Sequence, residues 1–163
     1  MAQVIIAGSI YQRLKEEAER RGAAVDEVVV ELLEAALGVS LDPPERAEFH
    51  RDLAEKFLRE AEELLAKGDY LQASEKAWGA AAQMVKAVAA KKGKELKSHG
   101  DLWRFVLEVA EGNDELRRLW HVANTLHQNF YEGWILPEGV RRAVEDVRQF
   151  VRMMKKLLDE EAV

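Results

Sequence analysis

The chain has 163 residues, no cysteine, 48% hydrophobic and 33% charged residues, and 24 Lys+Arg against 30 Asp+Glu for a net charge of −6. That length supports one sizeable core, or one core with a small appendage. The lack of cysteine excludes disulfides, thiol catalysis and Cys-ligated zinc, and the acidic balance excludes a generally basic nucleic-acid coat.

Gly, Pro and capping residues divide the sequence in chain order. Residues Gln3 to Gly8 (QVIIAG) are β-branched and predict a short strand. Ser9 with Gln12 forms an S-x-x-Q capping box that opens a helix ending near Gly22. A second helix is expected over Val25–Leu37, stopped by Gly38. Asp42-Pro43-Pro44-Glu45 combines a cap, first-turn prolines and a capping Glu, starting a long helix to Gly68. Asp69 and Gln72 open the next, which runs to Lys92 before Gly93. Ser98 or Gly100 starts a shorter helix ending at Gly112, Asn113 caps one running to Glu132, and Pro137 begins the last.

In the last helix Val140, Val144, Val147, Val151, Met154 and Leu158 recur at steps of three and four, an amphipathic stripe. The helix from Asp69 is apolar nearly all round and rich in Ala, with Gly79 in its middle. Such a helix is buried among its neighbours. The expected fold is therefore all-α: an antiparallel helical bundle over residues 42–163, preceded by a strand-helix-helix extension over residues 1–41 that serves as a dimerisation module. A lone strand must satisfy its backbone groups somewhere. With no second strand in the sequence, pairing with a second copy is the expectation, giving a homodimer.

The N-terminal stretch from Gln3 to Leu37 resembles a ribbon-helix-helix module, a family that dimerises through its strands and reads DNA with the paired ribbon. Here the outward strand positions would be Gln3, Ile5, Ala7 and Ser9, and Met1–Asp42 holds four basic against eight acidic residues. Phosphate contacts dominate DNA affinity, so duplex DNA binding is disfavoured; a DNA-binding regulator remains the third functional reading.

A second resemblance covers roughly Pro43 to the C-terminus. The motifs GDYLQASEKAWGAA (Gly68–Ala81) and LHQNFYEG (Leu126–Gly133), with KSHGDLW between them, resemble the archaeal PaREP family. That family is grouped with the HEPN superfamily, which implies an antiparallel helical bundle that commonly dimerises. HEPN proteins include RNA-cleaving toxins and partners of nucleotidyltransferases, so the resemblance implies nucleotide or RNA binding and a nucleotidyltransferase-type protein partner. The nucleases of that superfamily resemble one another in an Arg followed after four to six residues by His. Arg117–His121 and Arg46–His50 have three intervening residues, so this chain departs from the motif.

Among the polar residues, His127 sits beside the apolar face of its helix, in line with Asn124 and Tyr131. A pocket of Glu75, Lys76, Asn124, His127, Asn129, Tyr131 and Glu132 is expected, either as an anion or nucleotide site or as a buried polar network that fixes helix register. Lys91, Lys92, Lys94, Lys97 and His99 make the densest basic patch, a candidate anion rim. Arg141, Arg148, Arg152 and Lys155 share one face of the last helix, with Glu145 in the same row. His121 and His127 lack the spacing of two metal ligands on one helix, and no motif calls for a metal or cofactor.

The four tryptophans (Trp78, Trp103, Trp120 and Trp134) read as core or interface. Asn occurs only at positions 113, 124 and 129 in a surface written in Glu, Lys and Arg, which suits a hot environment. No apolar run reaches the roughly 20 residues of a membrane helix and no signal peptide is recognised, so a cytoplasmic protein is expected. The leading functional reading is a non-catalytic interaction protein that binds nucleotide or RNA. The alternative is a metal-independent ribonuclease using His127 or His121 as general acid/base.

Overall fold

The computed structural model describes residues 2–160. Among them are seven helices: α1 (Gly8–Arg21), α2 (Val25–Leu37), α3 (Pro43–Ala66), α4 (Tyr70–Lys91), α5 (His99–Val109), α6 (Asp114–Glu132) and α7 (Pro137–Glu160). They fall into two compact units, the first ending at Leu41 and the second beginning at Asp42. No helix among the described residues is long and apolar enough to cross a membrane.

The caps act as the side chains dictate. Asp42 accepts the Glu45 N–H at 2.9 Å, Asp69 that of Gln72 at 3.1 Å, Ser98 that of Asp101 at 3.1 Å and Asn113 that of Leu116 at 3.0 Å. Each supplies an acceptor to a helix start whose first donors have none within the helix. Gly22, Gly38 and Gly133 end their helices with φ of 64°, a left-handed conformation that side chains disfavour.

The N-terminus differs from expectation. Residues 2–7 hold no strand, because a strand exists only as a pairing and none of the other described residues forms a strand edge to pair with residues 3–8. The first helix also starts at Gly8, with the Ala7 carbonyl accepting from Ile10 and Tyr11 at 3.0 Å. Ser9 therefore lies inside the first turn, and the Ser9–Gln12 capping box does not form. The first unit is a pair of helices joined by three residues, with only Ala18, Glu27 and Val28 buried among its described residues. Glu27 is buried because its carboxylate accepts the Ala24 N–H at 2.8 Å, and Arg21 reaches Glu31 at 3.0 Å.

In the second unit the pairings fix the helix directions. Glu60, Phe57 and His50 of α3 meet Lys76, Gly79 and Gln83 of α4, so these two run antiparallel. Ser74 and Glu75 of α4 meet Asn129 and His127 of α6, again antiparallel. Tyr70 meets Arg141 and Lys91 meets the Leu158 carbonyl, so α4 and α7 are parallel. α3, α4, α6 and α7 form an up-down bundle, and α5 sits in the connection from α4 to α6.

The core centres on α4, which packs against α3, α5, α6 and α7. Fourteen of its 22 residues are buried, nine of them Ala or Ser, which lets neighbouring backbones approach closely. Gly79 allows a close approach: a Cβ there would stand 3.0 Å from the Phe57 ring. Trp120, Phe150, Met84 and Leu126 fill the space between helices.

Candidate functional site

The site is built on α4 and completed by α5 and α6. Residues 92–98 leave the end of α4 without helical structure, and α5 starts at His99. Lys92 and Gly93 turn the chain back so that the Lys94 N–H meets the Ala89 carbonyl at 2.9 Å. Trp78 lies about 16 Å further back along α4 at the helical rise, and residues 94–98 can span about that distance when extended. The connection therefore runs back along the helix and sets the start of α5 beside Trp78. Asp101 locks that turn by accepting the N–H groups of Lys97 at 3.0 Å and Ser98 at 3.2 Å. The Lys97 N–H, the Ser98 partners and Arg104 hold its carboxyl below the ordinary carboxylate range.

His99 is thereby brought to His127, 28 positions away in sequence. The rings of Trp78, His99 and His127 have centroids 5.4 Å, 4.9 Å and 5.1 Å apart, with interplanar angles of 7°, 29° and 26°. A three-layer stack would put its outer rings at about twice the neighbour spacing. The triangle instead means two imidazoles packed against one indole and against each other.

On its other side His127 Nδ1 lies 3.0 Å from Glu75 Oε2. An ionised carboxylate only accepts, so Nδ1 carries the hydrogen and Nε2 is the nitrogen left for other chemistry. The His127 side chain is 23% exposed and His99 is exposed at the rim. Tyr131 stands edge-on to His127 at 5.5 Å and is open to solvent. Loss of water around the ring, then the charge of His127, push His99 below the ordinary imidazole value; Lys86 acts in the same direction and Glu75 opposes.

That shift has a consequence for pH. His99 holds its proton less tightly folded than unfolded, so its contribution to stability is complete above pH 6.5 and is lost as pH falls through the lower folded value. In denaturant titrations at pH 8 and pH 5.5, His99→Gln should show a smaller difference between the two conditions than the parent. An equal difference in both proteins would contradict this.

The remaining expected pocket residues divide by role. Lys76 faces α3, paired with Glu60 at 2.7 Å and 4.6 Å above the Phe57 ring, rather than joining His127. Asn124 donates to the Trp120 carbonyl at 2.8 Å on its own helix. Asn129 is fully buried, donating to Ser74 Oγ at 3.0 Å and accepting the Ile135 N–H at 2.8 Å, which makes it a structural clasp. Glu132 is exposed on the last turn of α6.

The expected anion rim does not assemble as one surface. Lys91 donates to the Leu158 carbonyl, Lys94 pairs with Glu108 at 3.1 Å, Lys97 Nζ lies 3.9 Å from Glu95, and Lys92 is also engaged. A depression of about 360 Å³ beside them is lined by both signs, Lys94 and Arg104 with Glu95, Asp101 and Glu108. Of that group only His99 belongs to the site. The α7 row is likewise tied up: Arg148 with Glu62 and Glu145, Lys155 with Glu55 at 2.8 Å, and Arg141 with the Tyr70 hydroxyl at 2.8 Å. His121 packs edge-on against Trp103 at 4.9 Å. Among the described residues no group of three His, Asp or Glu is placed to hold a metal ion.

Trp78 and the partnership of His99 with His127 are the parts sequence reasoning missed. The available signal was the length of the Gly93–Ser98 connection, which is long enough to return along α4.

Fold and site define an all-α bundle with a paired-imidazole cluster on its central helix. The chain belongs to the archaeal PaREP1/PaREP8 family, whose model matches residues 49–151. It is similar to a protein of known crystal structure from Sulfolobus solfataricus, with 32% identity over 64% of this chain and 95% of that one and a TM-score of 0.55. No curated protein matches the chain.

Proposed function

We propose that the bundle is a HEPN-like scaffold that binds a phosphate-bearing ligand, a nucleotide or an RNA, at the His99–His127 pair. The observation that carries this reading is the convergence of two imidazoles from separate helices on the Trp78 ring, partly open to solvent, with Lys86 acting on the same site. Two imidazoles present N–H donors to anionic oxygens, and the exposed Tyr131 ring at the edge offers a face to a base.

A second reading, metal-independent RNA cleavage, is favoured by the Glu75–His127 hydrogen bond. A carboxylate that fixes the tautomer of an imidazole is the arrangement of an oriented general base. In this reading His99, rather than His121, is the second group.

Titration with inorganic phosphate, adenosine monophosphate and a short oligoribonucleotide, followed by the imidazole proton resonances, tests both. The expected result is a shift of the His99 and His127 signals that is lost in His127→Gln while the melting temperature holds. Conversion of the oligonucleotide to shorter products would select the second reading. No shift with any probe, together with a melting temperature several degrees lower in His127→Gln, would make the cluster a register-fixing network and overturn both.

A further inference from the structure

His99 and His127 lie side by side with ring centroids 5.1 Å apart, but their surroundings differ. Glu75 Oε2 stands 3.0 Å from His127 and offsets a positive charge on that ring. His99 is packed face to face on Trp78 at 5.4 Å instead. The helices packed against α5 are α4 and α6. From them Glu75 and Lys86 of α4 and His127 of α6 act on His99, while in its own turn Asp101 is spent on Lys97, Ser98 and Arg104. All of these groups belong to the second unit. A proton on His99 therefore meets the charge of His127 and Lys86, with Glu75 already bonded elsewhere, and the empty site holds that ring neutral at pH 7. An anion set against both rings removes the obstacle, because each imidazolium turns an N–H toward an anionic oxygen. The Trp78 face favours a cation stacked on it.

We propose that the His99–His127 pair selects a terminal phosphate, a phosphomonoester dianion, over the singly charged phosphodiester linkage, and that binding loads a proton onto His99. This rests on the reading of the pair as a phosphate site and names the form of phosphate it takes. A monoester carries about −1.5 to −2 charge at pH 7 and three acceptor oxygens, whereas a diester has a single charge shared by two. Two imidazolium rings in contact repel, so the second proton is the one that needs the ligand's charge. At equal distance a dianion supplies twice the Coulomb attraction of a monoanion. The proton and the terminal phosphate are therefore bound together, each strengthening the hold on the other.

Calorimetric titration of the full chain with adenosine monophosphate and with its cyclic 3′,5′ diester tests this, since the two share base and sugar and differ in the phosphate. At pH 7.5 the monophosphate should bind about tenfold more tightly, and heats in buffers of different ionisation enthalpy should show uptake of about one proton per ligand. Its affinity should rise about tenfold from pH 8 to pH 7, the slope of one proton, and His99→Gln should flatten that rise. The parent protein gives a readout that needs no variant. Its His99 ring resonance should titrate below the ordinary imidazole value when the site is empty and above it with the monophosphate bound. A short oligoribonucleotide carrying a terminal phosphate tells the two sources of that group apart. Binding tighter than adenosine monophosphate makes the ligand an RNA end, and weaker binding makes it a free nucleotide; in either case removing the terminal phosphate should weaken the oligonucleotide. Equal affinity for the two adenosine ligands, or a preference without proton uptake, would overturn the inference and leave the phosphate site standing. No movement of either histidine resonance with any of these ligands would overturn both.

Discussion

Trp120→Ala is expected to lower the stability of the second unit by about 3–5 kcal/mol, the range for emptying a fully buried large aromatic site. Trp120 is 0% exposed, and its ring meets Trp78 of α4 at 5.2 Å, Trp103 of α5 at 5.7 Å and Phe150 of α7 at 5.6 Å. One side chain on α6 thus touches three other helices, and no neighbour can close the gap without releasing another contact. Trp120→Phe separates shape from polarity. The indole Nε1 is buried with no hydrogen-bond acceptor, so phenylalanine removes a costly group along with some volume, and its loss should stay near 1 kcal/mol. Denaturant midpoints measured on both variants check the pair. Equal losses would mean that the N–H, not the ring, holds the junction.

Asn129→Ala is expected to cost about 3 kcal/mol, close to the upper limit for orphaning buried polar groups. The amide of Asn129 spans α4 through Ser74 and the α6–α7 connection through the Ile135 N–H. Alanine leaves that N–H without its acceptor and opens a small void beside it. Asn129→Asp keeps the acceptor but places a charge at a site with 0% exposure, so it should be at least as destabilising as alanine at pH 7. Thermal and denaturant unfolding decide this. A loss below 1 kcal/mol for Asn129→Ala would show that water takes over both bonds.

The contrast between Asn129 and His127 illustrates what the sequence could and could not convey. Both lie in LHQNFYEG beside an apolar helix face, and both read as members of one polar pocket. Burial separates them: Asn129 is sealed and its bonds are all spent on the fold, whereas His127 keeps one nitrogen and part of its ring accessible. Local signals were legible at most helix starts, where a single short-range bond decides the outcome, though not at Ser9, which lies inside the first turn of α1. Asp42, Asp69, Ser98 and Asn113 each cap the helix their position announces. The all-round apolar pattern of α4 likewise announced a buried centre.

What depends on distant partners was not legible. Lys76 and Glu75 are adjacent in sequence, yet helical rotation of about 100° per residue sends one to α3 and the other to α6. His99 looked like part of a lysine-rich turn because its neighbours are lysines, while its site is defined by a residue on another helix. At the N-terminus, β-branched residues signalled extended backbone, but propensity cannot supply a pairing edge.

The position of α4 at the centre of the second unit governs how that unit comes apart. α3, α6 and α7 each use α4 as the wall for their apolar stripe, so none can peel away without wetting a row of alanines on the helix they share. Loss of one contact weakens the seat of the others, and the unit is built to open as a whole rather than by fraying. Backbone amides in the stretch from Ala80 to Val88 would then exchange with solvent only through that whole-unit opening, and their protection factors would read its free energy.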